Sequence, residues 1–331
     1  MTQTSAQSEP MLGIVVITRN EARHIAASLD AALNASRQFP DTEIILVDSE
    51  STDATVAIAA RYPISIYRYR GPIHTAAAGR RIGFERIAAR YVLFVDGDCR
   101  VEASWLSNAI SMMEADPQAA IAYGARQEVF EGVTSQFNSV GPSPEEYGLG
   151  GNALYRTEIL RQVDSFNPYI VAEEEGELLA RIQAAGYHAI RTSDVIFTHY
   201  TLPKDSIQGV IRRHLRGLSR GRGQVLRVSI RQGLFAYHAR RFNRYLLMLA
   251  YLALGVVLAI VGAVRMDAAP PLLWVALGFA AFIWLWFRRR SARSALYIVM
   301  DWTLVGITMA RDFLQSPGRP EMFKPLVERM K

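Results

Sequence analysis

Tyr91-Val92-Leu93-Phe94-Val95 is an unbroken apolar and aromatic run that leads straight into Asp96-Gly97-Asp98. A run of that kind is a strand covered on both faces, so the chain must also supply the helices that cover it. It does so by repetition. Strand-type runs at 12–17, 43–48 and 64–69 alternate with stretches of helical period. In the first of these, Ile25, Leu29 and Leu33 recur every four residues up to Pro40; the others run through Arg61, from Thr75 to Ala89, and from Ala103 to Ala115. The alternation predicts βαβ units and a parallel, doubly wound α/β sheet.

Ligands of such sheets bind beyond the carboxyl ends of the strands, which is where Asp96 and Asp98 fall. Two carboxylates there can hold a hard divalent cation, and the cation can hold phosphates. Asp-Gly is also an ordinary turn dipeptide, so the pair alone leaves a plain turn open. A dinucleotide-binding turn needs G-x-G-x-x-G after the first strand. Thr18-Arg19-Asn20-Glu21 stands there instead, without a glycine, and argues against that class.

Beyond Tyr123 the pattern loosens around Gly124, Gly132, Gly141, Pro142 and Pro144. A glycine-rich loop, Gly148 to Arg156, then enters a short helix. A helix over 172–186 follows, with Leu178, Ile182 and Ala185 on one face and Gly186 as its stop. Strands at 187–191 and 195–199 close the region.

The C-terminal third is different. Tyr245–Val264 carries no charge over twenty residues, enough for a helix to span a bilayer. Leu272–Phe287 is a second uncharged run, whose Trp274, Trp284 and Trp286 suit membrane interfaces. A third segment, 295–309, contains Asp301 and reads equally as partial insertion, an interfacial helix or a further span. Arginines flank the hairpin on both outer ends (Arg240, Arg241, Arg244; Arg288, Arg289, Arg290, Arg293), which predicts a multi-pass inner-membrane protein with its α/β domain in the cytoplasm.

Charge is concentrated just before the first span. From Arg212 to Arg244 there are ten arginines and no Asp or Glu, so against a whole-chain +6 the rest sums to −4. Leu215, Leu218, Leu234, Phe235, Tyr237 and Phe242 are interleaved with those arginines, which favours anionic membrane lipid or a lipid-linked diphosphate over nucleic acid as the partner. Cys99 is the single cysteine, so no intramolecular disulfide forms. Met1–Pro10 has neither the charge nor the apolar stretch of a signal peptide and is expected to be a disordered tail. The expected division is a tail over 1–10, a catalytic domain over 11–204, a basic juxtamembrane segment over 205–244 and a membrane region over 245–331.

Thr18-Arg-Asn-Glu21, Val47-Asp-Ser-Glu-Ser-Thr-Asp53, Asp96-Gly-Asp98, Gly150-Gly-Asn152 and Glu174-Glu-Gly-Glu-Leu178 follow one another in the order and spacing of family 2 glycosyltransferases. The resemblance covers about residues 11–200, and its C-terminal hairpin is similar only to the membrane-attached members. It implies the GT-A nucleotide-sugar-binding fold and a set of roles. Thr18, Glu21 and Asp48 would contact the nucleoside. Asp53 would cap the helix that follows. Arg80, or Arg81 beside it, would meet the diphosphate, since Gly79-Arg80-Arg81 stands where the family has Ala-Arg-Asn. Asp98 would ligate Mg²⁺ or Mn²⁺, with Asp96 on ribose or metal and His199 as a further ligand.

Gly151 and Asn152 would bring polar groups to the donor. Glu175 would be the base that deprotonates an acceptor hydroxyl, with Glu174 as the alternative, because the family usually has Asp at position 175. Crowding of Glu173, Glu174, Glu175 and Glu177 at a helix start should raise at least one carboxyl pKa. Glu177, four before Arg181, also reads as half of a helix ion pair. The implied activity is transfer from a nucleoside-diphosphate sugar, expected to be a UDP-sugar, to a glycan or lipid-linked hydroxyl. Polyprenyl phosphate as acceptor is the near alternative, and an inactive membrane scaffold of the same fold the distant one.

Overall fold

The structure, a computed structural model, describes residues 9–130, 133–137, 149, 151–200, 207–215, 217, 220–315 and 317–331. Most of the expected tail, Gly148 and Gly150 of the glycine-rich loop, and Leu218 of the basic belt lie outside the described residues. The chain forms two compact units. One is Met1–Thr201 together with Gly318–Lys331; the other is Leu202–Pro317.

The first unit is built on one sheet. Its strands are β1 (Leu12–Thr18), β2 (Glu43–Asp48), β3 (Ser65–Arg70), β4 (Tyr91–Asp96), β5 (Cys99–Val101), β6 (Ala119–Phe130), β7 (Val133–Phe137), β8 (Leu154–Arg156), β9 (His188–Tyr200) and β10 (Leu326–Arg329). Helices α1 (Ile25–Ser36), α2 (Thr55–Ala59), α3 (Ala76–Phe84), α4 (Ser104–Ala115), α5 (Thr157–Gln162) and α6 (Glu174–Ala184) connect them. The strand order is β10-β3-β2-β1-β4-β8-β6-β9-β5, with β7 on β6.

The N-terminal half is parallel, as the alternation predicts: β1 pairs with both β2 and β4, and β2 with β3. Every residue of β1 is buried, as are Tyr91–Val95 of β4. Beyond that parallel half the sheet is mixed. The three-residue β8 lies antiparallel to β4 and β6, β5 is antiparallel to β9, and β10 is antiparallel to β3. Antiparallel neighbours need no crossover helix, so the strand–helix rhythm of the first hundred residues does not announce them. The short helix expected after Arg156 is α5, β8 lies within the stretch before it, and β9 joins the two strands expected at 187–191 and 195–199.

β1 in register with β2 sets Thr18 beside Asp48, and β1 in register with β4 sets Ile17 beside Asp96. The three strand ends are therefore level. Helix α3 lies close on this layer because two of its positions lack a side chain: a Cβ at Gly83 would collide with Val15, and one at Gly79 would press on Ile17. Arg80, next to Gly79, is thereby sunk to 2% exposure.

Residues 318–331 were expected with the membrane region, and the structure returns them to the sheet. Met330 N–H donates to the Ile66 carbonyl at 2.8 Å, and Arg70 pairs with Glu328. A four-residue strand with polar residues in it carries no apolar signature that distinguishes it from a tail.

The second unit is helical: α7 (Ile207–Leu215), α8 (Gly221–Gln232), α9 (Phe235–Arg241), α10 (Asn243–Arg265), α11 (Ala269–Arg289) and α12 (Ala292–Leu314). α10 and α11 are long and apolar enough to cross a membrane. The Tyr251 and Trp274 rings stack at 5.0 Å, and each side chain bonds the other's backbone carbonyl. Gly255 lies against the Trp274 ring and Gly278 against Tyr251, leaving no room for a Cβ at either. α12 crosses α8 at Gly223, where a Cβ would strike the backbone of Met309. The segment left open from sequence is thus a helix of 23 residues.

Candidate active site

The loop after β1 and the loop after β2 are tied together by backbone donors. Asn20 N–H donates to Ser51 Oγ, Glu21 N–H to Thr55 Oγ1, and Thr52 N–H to Asn20 Oδ1. Asp53 accepts from the Thr55 and Ala22 amides, so it caps as expected. Asp48 closes the turn after β2: its side chain is fully buried, accepts from Ser51 N–H, and pairs with Arg68 Nε at 3.1 Å.

Glu21 faces the metal-type cluster. Burial, reinforced by the charges of Asp98 and Asp53, pushes its carboxyl up to about 7. Thr18 presents a buried hydroxyl with no hydrogen-bond partner in the described structure, packed where a Cβ on Gly97 would meet it at 2.8 Å. That contact explains why glycine separates the two aspartates.

Asp98 and His199 meet because β5 pairs with β9, Cys99 opposite His199. His199 Nε2 lies 3.2 Å from Asp98 Oδ2. Burial pushes the Asp98 carboxyl up, but the hydrogen bond and charge of His199 outweigh it and hold the group below its ordinary range. Ligand atoms of Asp98, Cys99 and His199 all lie within 4.8 Å of one another. The sulfur differs in kind. Burial, with Asp96 and Asp98 nearby, pushes the Cys99 thiol well above its usual pKa, so it stays a protonated donor to Asp98. An oxygen and an imidazole nitrogen, with Asp96 and Glu21 adjacent, fit a hard divalent cation. The thiol would not be a ligand.

Asn152 is 3% exposed, and its amide oxygen accepts the Asp96 N–H at 2.8 Å. It orients Asp96 rather than facing outward. Gly151 lies beside it with φ +78°; a Cβ there would sit 2.5 Å from Arg80 Nη2, 2.8 Å from Asp96 and 3.2 Å from Glu175. This is the crowded centre of the site.

Arg80 gathers the carboxylates. Its Nη2 donates to Asp96 at 2.8 Å, and its Nη1 to Glu174 at 2.7 Å and Glu175 at 3.3 Å. Its plane lies over the Phe166 ring. Burial opposes the guanidinium charge, and Asp96, Glu175 and Glu174 more than restore it. Arg81 points elsewhere, to Glu85 and Asp164. Of the two arginines, Arg80 is the one that meets Asp96, Glu174 and Glu175.

Glu173 has a left-handed φ of 70° and turns the chain into α6. Glu174 and Glu175 then point inward. Burial raises the Glu174 carboxyl, its neighbour Glu175 raises it further, and Arg80 opposes both. Burial likewise raises Glu175 against the pull of Arg80. The Glu175 side chain keeps 17% of its surface open against 7% for Glu174, so it is the more accessible of the two. Glu177 is fully buried and grips Arg181 with both oxygens, the helix pair anticipated by its spacing.

Tyr155 was not anticipated. Its hydroxyl is buried beside the two glutamates with no hydrogen-bond partner in the described structure. Nothing in the sequence around β8 marks it, because its neighbours come from strands and helices far along the chain.

A family model described as Glycosyl transferase family 2 matches residues 13–164. The curated glycosyltransferase AglE of Haloferax volcanii is 22% identical over 67% of this chain and 77% of its own length. The poly(ribitol-phosphate) β-N-acetylglucosaminyltransferase TarS of Staphylococcus aureus is 25% identical over 50% of this chain, which spans only 31% of that protein. Among solved structures, the Pyrobaculum calidifontis mannosyltransferase PcManGT with GDP-mannose and Mn²⁺ superposes at TM-score 0.60 and 19% identity, covering 93% of this chain and 88% of that one. Residues 1–349 of S. aureus TarS with UDP-GlcNAc superpose at 0.51 and 17% identity, covering 91% and 92%.

Proposed function

We propose, from the premise that residues 13–164 form a family 2 glycosyltransferase domain on the GT-A fold and that the chain is a transferase, that it moves a sugar from a nucleoside diphosphate to an acceptor with inversion at the anomeric carbon. The observation that carries the reading is the knot at Gly151. There one guanidinium ties Asp96, at the donor side, to Glu174 and Glu175, at the acceptor side.

Donor binding falls to the loops after β1 and β2, the Thr18 hydroxyl and Glu21. Asp98 and His199 would hold Mg²⁺ or Mn²⁺, which when bound neutralises charge on the diphosphate and its departure. Asn152 fixes Asp96 through its backbone amide. Glu175 takes the proton of the acceptor hydroxyl as the oxygen attacks. The new C–O bond forms as the bond to phosphate breaks, and the nucleoside diphosphate leaves. Burial serves this chemistry, because a raised carboxyl is a stronger base once ionised.

The donor is read as a UDP-sugar, supported by the UDP-GlcNAc complex of a fold relative; the GDP-mannose complex of another makes GDP-sugars the arm to test against it. The acceptor is read as a glycan or lipid-linked hydroxyl at a membrane. Supporting this, α10 and α11 leave nearly all of their apolar surface uncovered, and the preceding basic segment exposes Arg231, Arg240 and Arg244 beside Ile230 and Phe235. That combination suits anionic lipid or the diphosphate of a lipid-linked acceptor. A cytoplasmic transferase unit is part of this reading, and the arginine-rich ends of the hairpin support it.

The test is turnover by the detergent-solubilised chain across UDP- and GDP-sugars with Mn²⁺. Asp98→Asn should abolish metal-dependent nucleotide binding. Glu175→Gln should stop transfer to a hydroxyl but leave nucleotide affinity intact. Binding indifferent to Asp98→Asn would refute the donor site. Near-normal activity of Glu175→Gln would move the acceptor to polyprenyl phosphate, which needs no strong base.

A further inference from the structure

Between α5 and α6 the chain runs from 163 to 173 without regular structure, and its far end delivers Glu174 and Glu175. A segment of that kind places a carboxylate accurately only if something holds it. Two of its clamps come from nearby helices. The Thr75 hydroxyl, which also caps α3, donates to the Pro168 carbonyl at 2.7 Å, and Arg81 binds the Asp164 and Phe166 carbonyls.

The third clamp comes from the far end of the chain. Phe323 packs edge-on against Tyr169 at 6.1 Å and against Tyr69, at the end of β3, at 5.9 Å. Gly318 lies flat on the same Tyr169 ring, where a Cβ would not fit. Beyond Phe323, β10 fastens this stretch to the sheet edge by pairing with β3. Tyr169 is thus held between the strap and its own loop, where its N–H donates to Asn167 Oδ1 and Ile170 N–H donates to the Asn167 carbonyl.

We propose that residues 318–331 are a positioning strap for the candidate active site, with Phe323 as the wedge that fixes Tyr169 and so sets where Glu174 and Glu175 stand. Phe323 touches neither reacting group; it acts through the loop. The consequence for catalysis rests on the transferase reading above, and the mechanical coupling does not. The physical reason is leverage. Glu174 begins five residues after Tyr169, and a displacement of about 1 Å at a reacting group can cost on the order of a hundredfold in rate. Among the described residues the ring contacts of Phe323 are with Tyr169 and Tyr69, outside the loops after β1 and β2, so donor affinity is a separable quantity.

The experiment uses the full chain in detergent. Hydrogen–deuterium exchange is followed at 166–175 in the unsubstituted protein, Phe323→Ala and Phe323→Leu, alongside UDP affinity with Mn²⁺ and turnover. Phe323→Ala should speed exchange at the Tyr169 and Ile170 amides at least about tenfold and lower kcat by about tenfold or more, with UDP affinity within about twofold. Phe323→Leu, which keeps apolar bulk, should recover most of both. Faster exchange confined to 318–331 and β3, with 166–175 unchanged, would overturn the strap. Should Phe323→Ala fail to fold, Tyr169→Leu tests the same contact from the other side: it must loosen 318–325, and unaltered exchange there would equally overturn it. If the unsubstituted chain turns over no donor at all, the transferase reading fails while the exchange arm still decides the strap.

Discussion

Arg80 is the residue on which the site depends most. Removing one partner of a buried ion pair leaves uncompensated charge and costs about 3–5 kcal/mol, and here three acids share one cation. Arg80→Met is therefore expected to lower the melting temperature sharply, whereas Arg90→Met, whose pair with Glu114 is half exposed, should shift it little; differential scanning fluorimetry compares the two. Gly151→Ala adds the backbone cost of a positive φ, roughly 1–3 kcal/mol, to a collision with the same guanidinium.

Glu21 gives a pH signature. Its folded carboxyl is pushed up to about 7, above the ordinary 4.5 of a free glutamate. The folded state therefore keeps a proton that the unfolded chain releases between those values. Its contribution to stability is full below about 4.5 and is lost as pH rises through 7. With metal chelated, Glu21→Gln should gain melting temperature over the parent chain between pH 5 and pH 8, and an equal difference at both ends would contradict the assignment.

Elements differ in how openly the sequence declares them. β1 and β4 are legible because strands buried on both faces must be apolar throughout, and the Asp-Gly-Asp at the end of β4 is legible because it is local. The ion-pair knot is not. Arg80, Asp96, Asn152 and Glu175 come from four separate elements, and nothing in a helix such as Ala78-Gly-Arg-Arg-Ile-Gly83 tells which arginine turns inward. The glycines that sink Arg80 are visible in that helix; the surface they press against is not. Asp48 is a related case, since an acid at a strand end serves a ligand or its own turn equally well, and its pair with Arg68 on the adjacent strand leaves no mark in the local sequence.

In the helical unit, Gly255 and Gly278 read as ordinary small residues of an apolar run. Their role appears only when Trp274 and Tyr251 are seen seated on them. Small residues that admit a neighbour closely are what hold apolar helices together where hydrophobic burial gives no drive. Gly278→Val should thus lower thermal stability in detergent by separating α10 from α11, with UDP affinity unchanged, as read by fluorimetry and nucleotide titration on one preparation.

At the scale of the molecule, the first unit is not one stretch of sequence. It is interrupted by 202–317 and resumes at 318. A catalytic fragment stopped at residue 200 would bare the edge of β3, a template for pairing with other chains. The same fragment with 318–331 joined on through a flexible linker should stay monodisperse in size-exclusion chromatography where the shorter one aggregates.

The pairing of Arg70 with Glu328 spans 258 residues. A ribosome making this chain completes β3 early and must then produce every apolar helix before β10 exists to cover it. Throughout that interval the sheet has an open edge and the loop bearing Glu174 and Glu175 lacks its wedge. The price of closing so long a loop grows only slowly with length, but the wait does not shorten. Residues translated after the apolar helices are thus the ones that finish the site, and a nascent chain acquires that geometry only once those helices have been made.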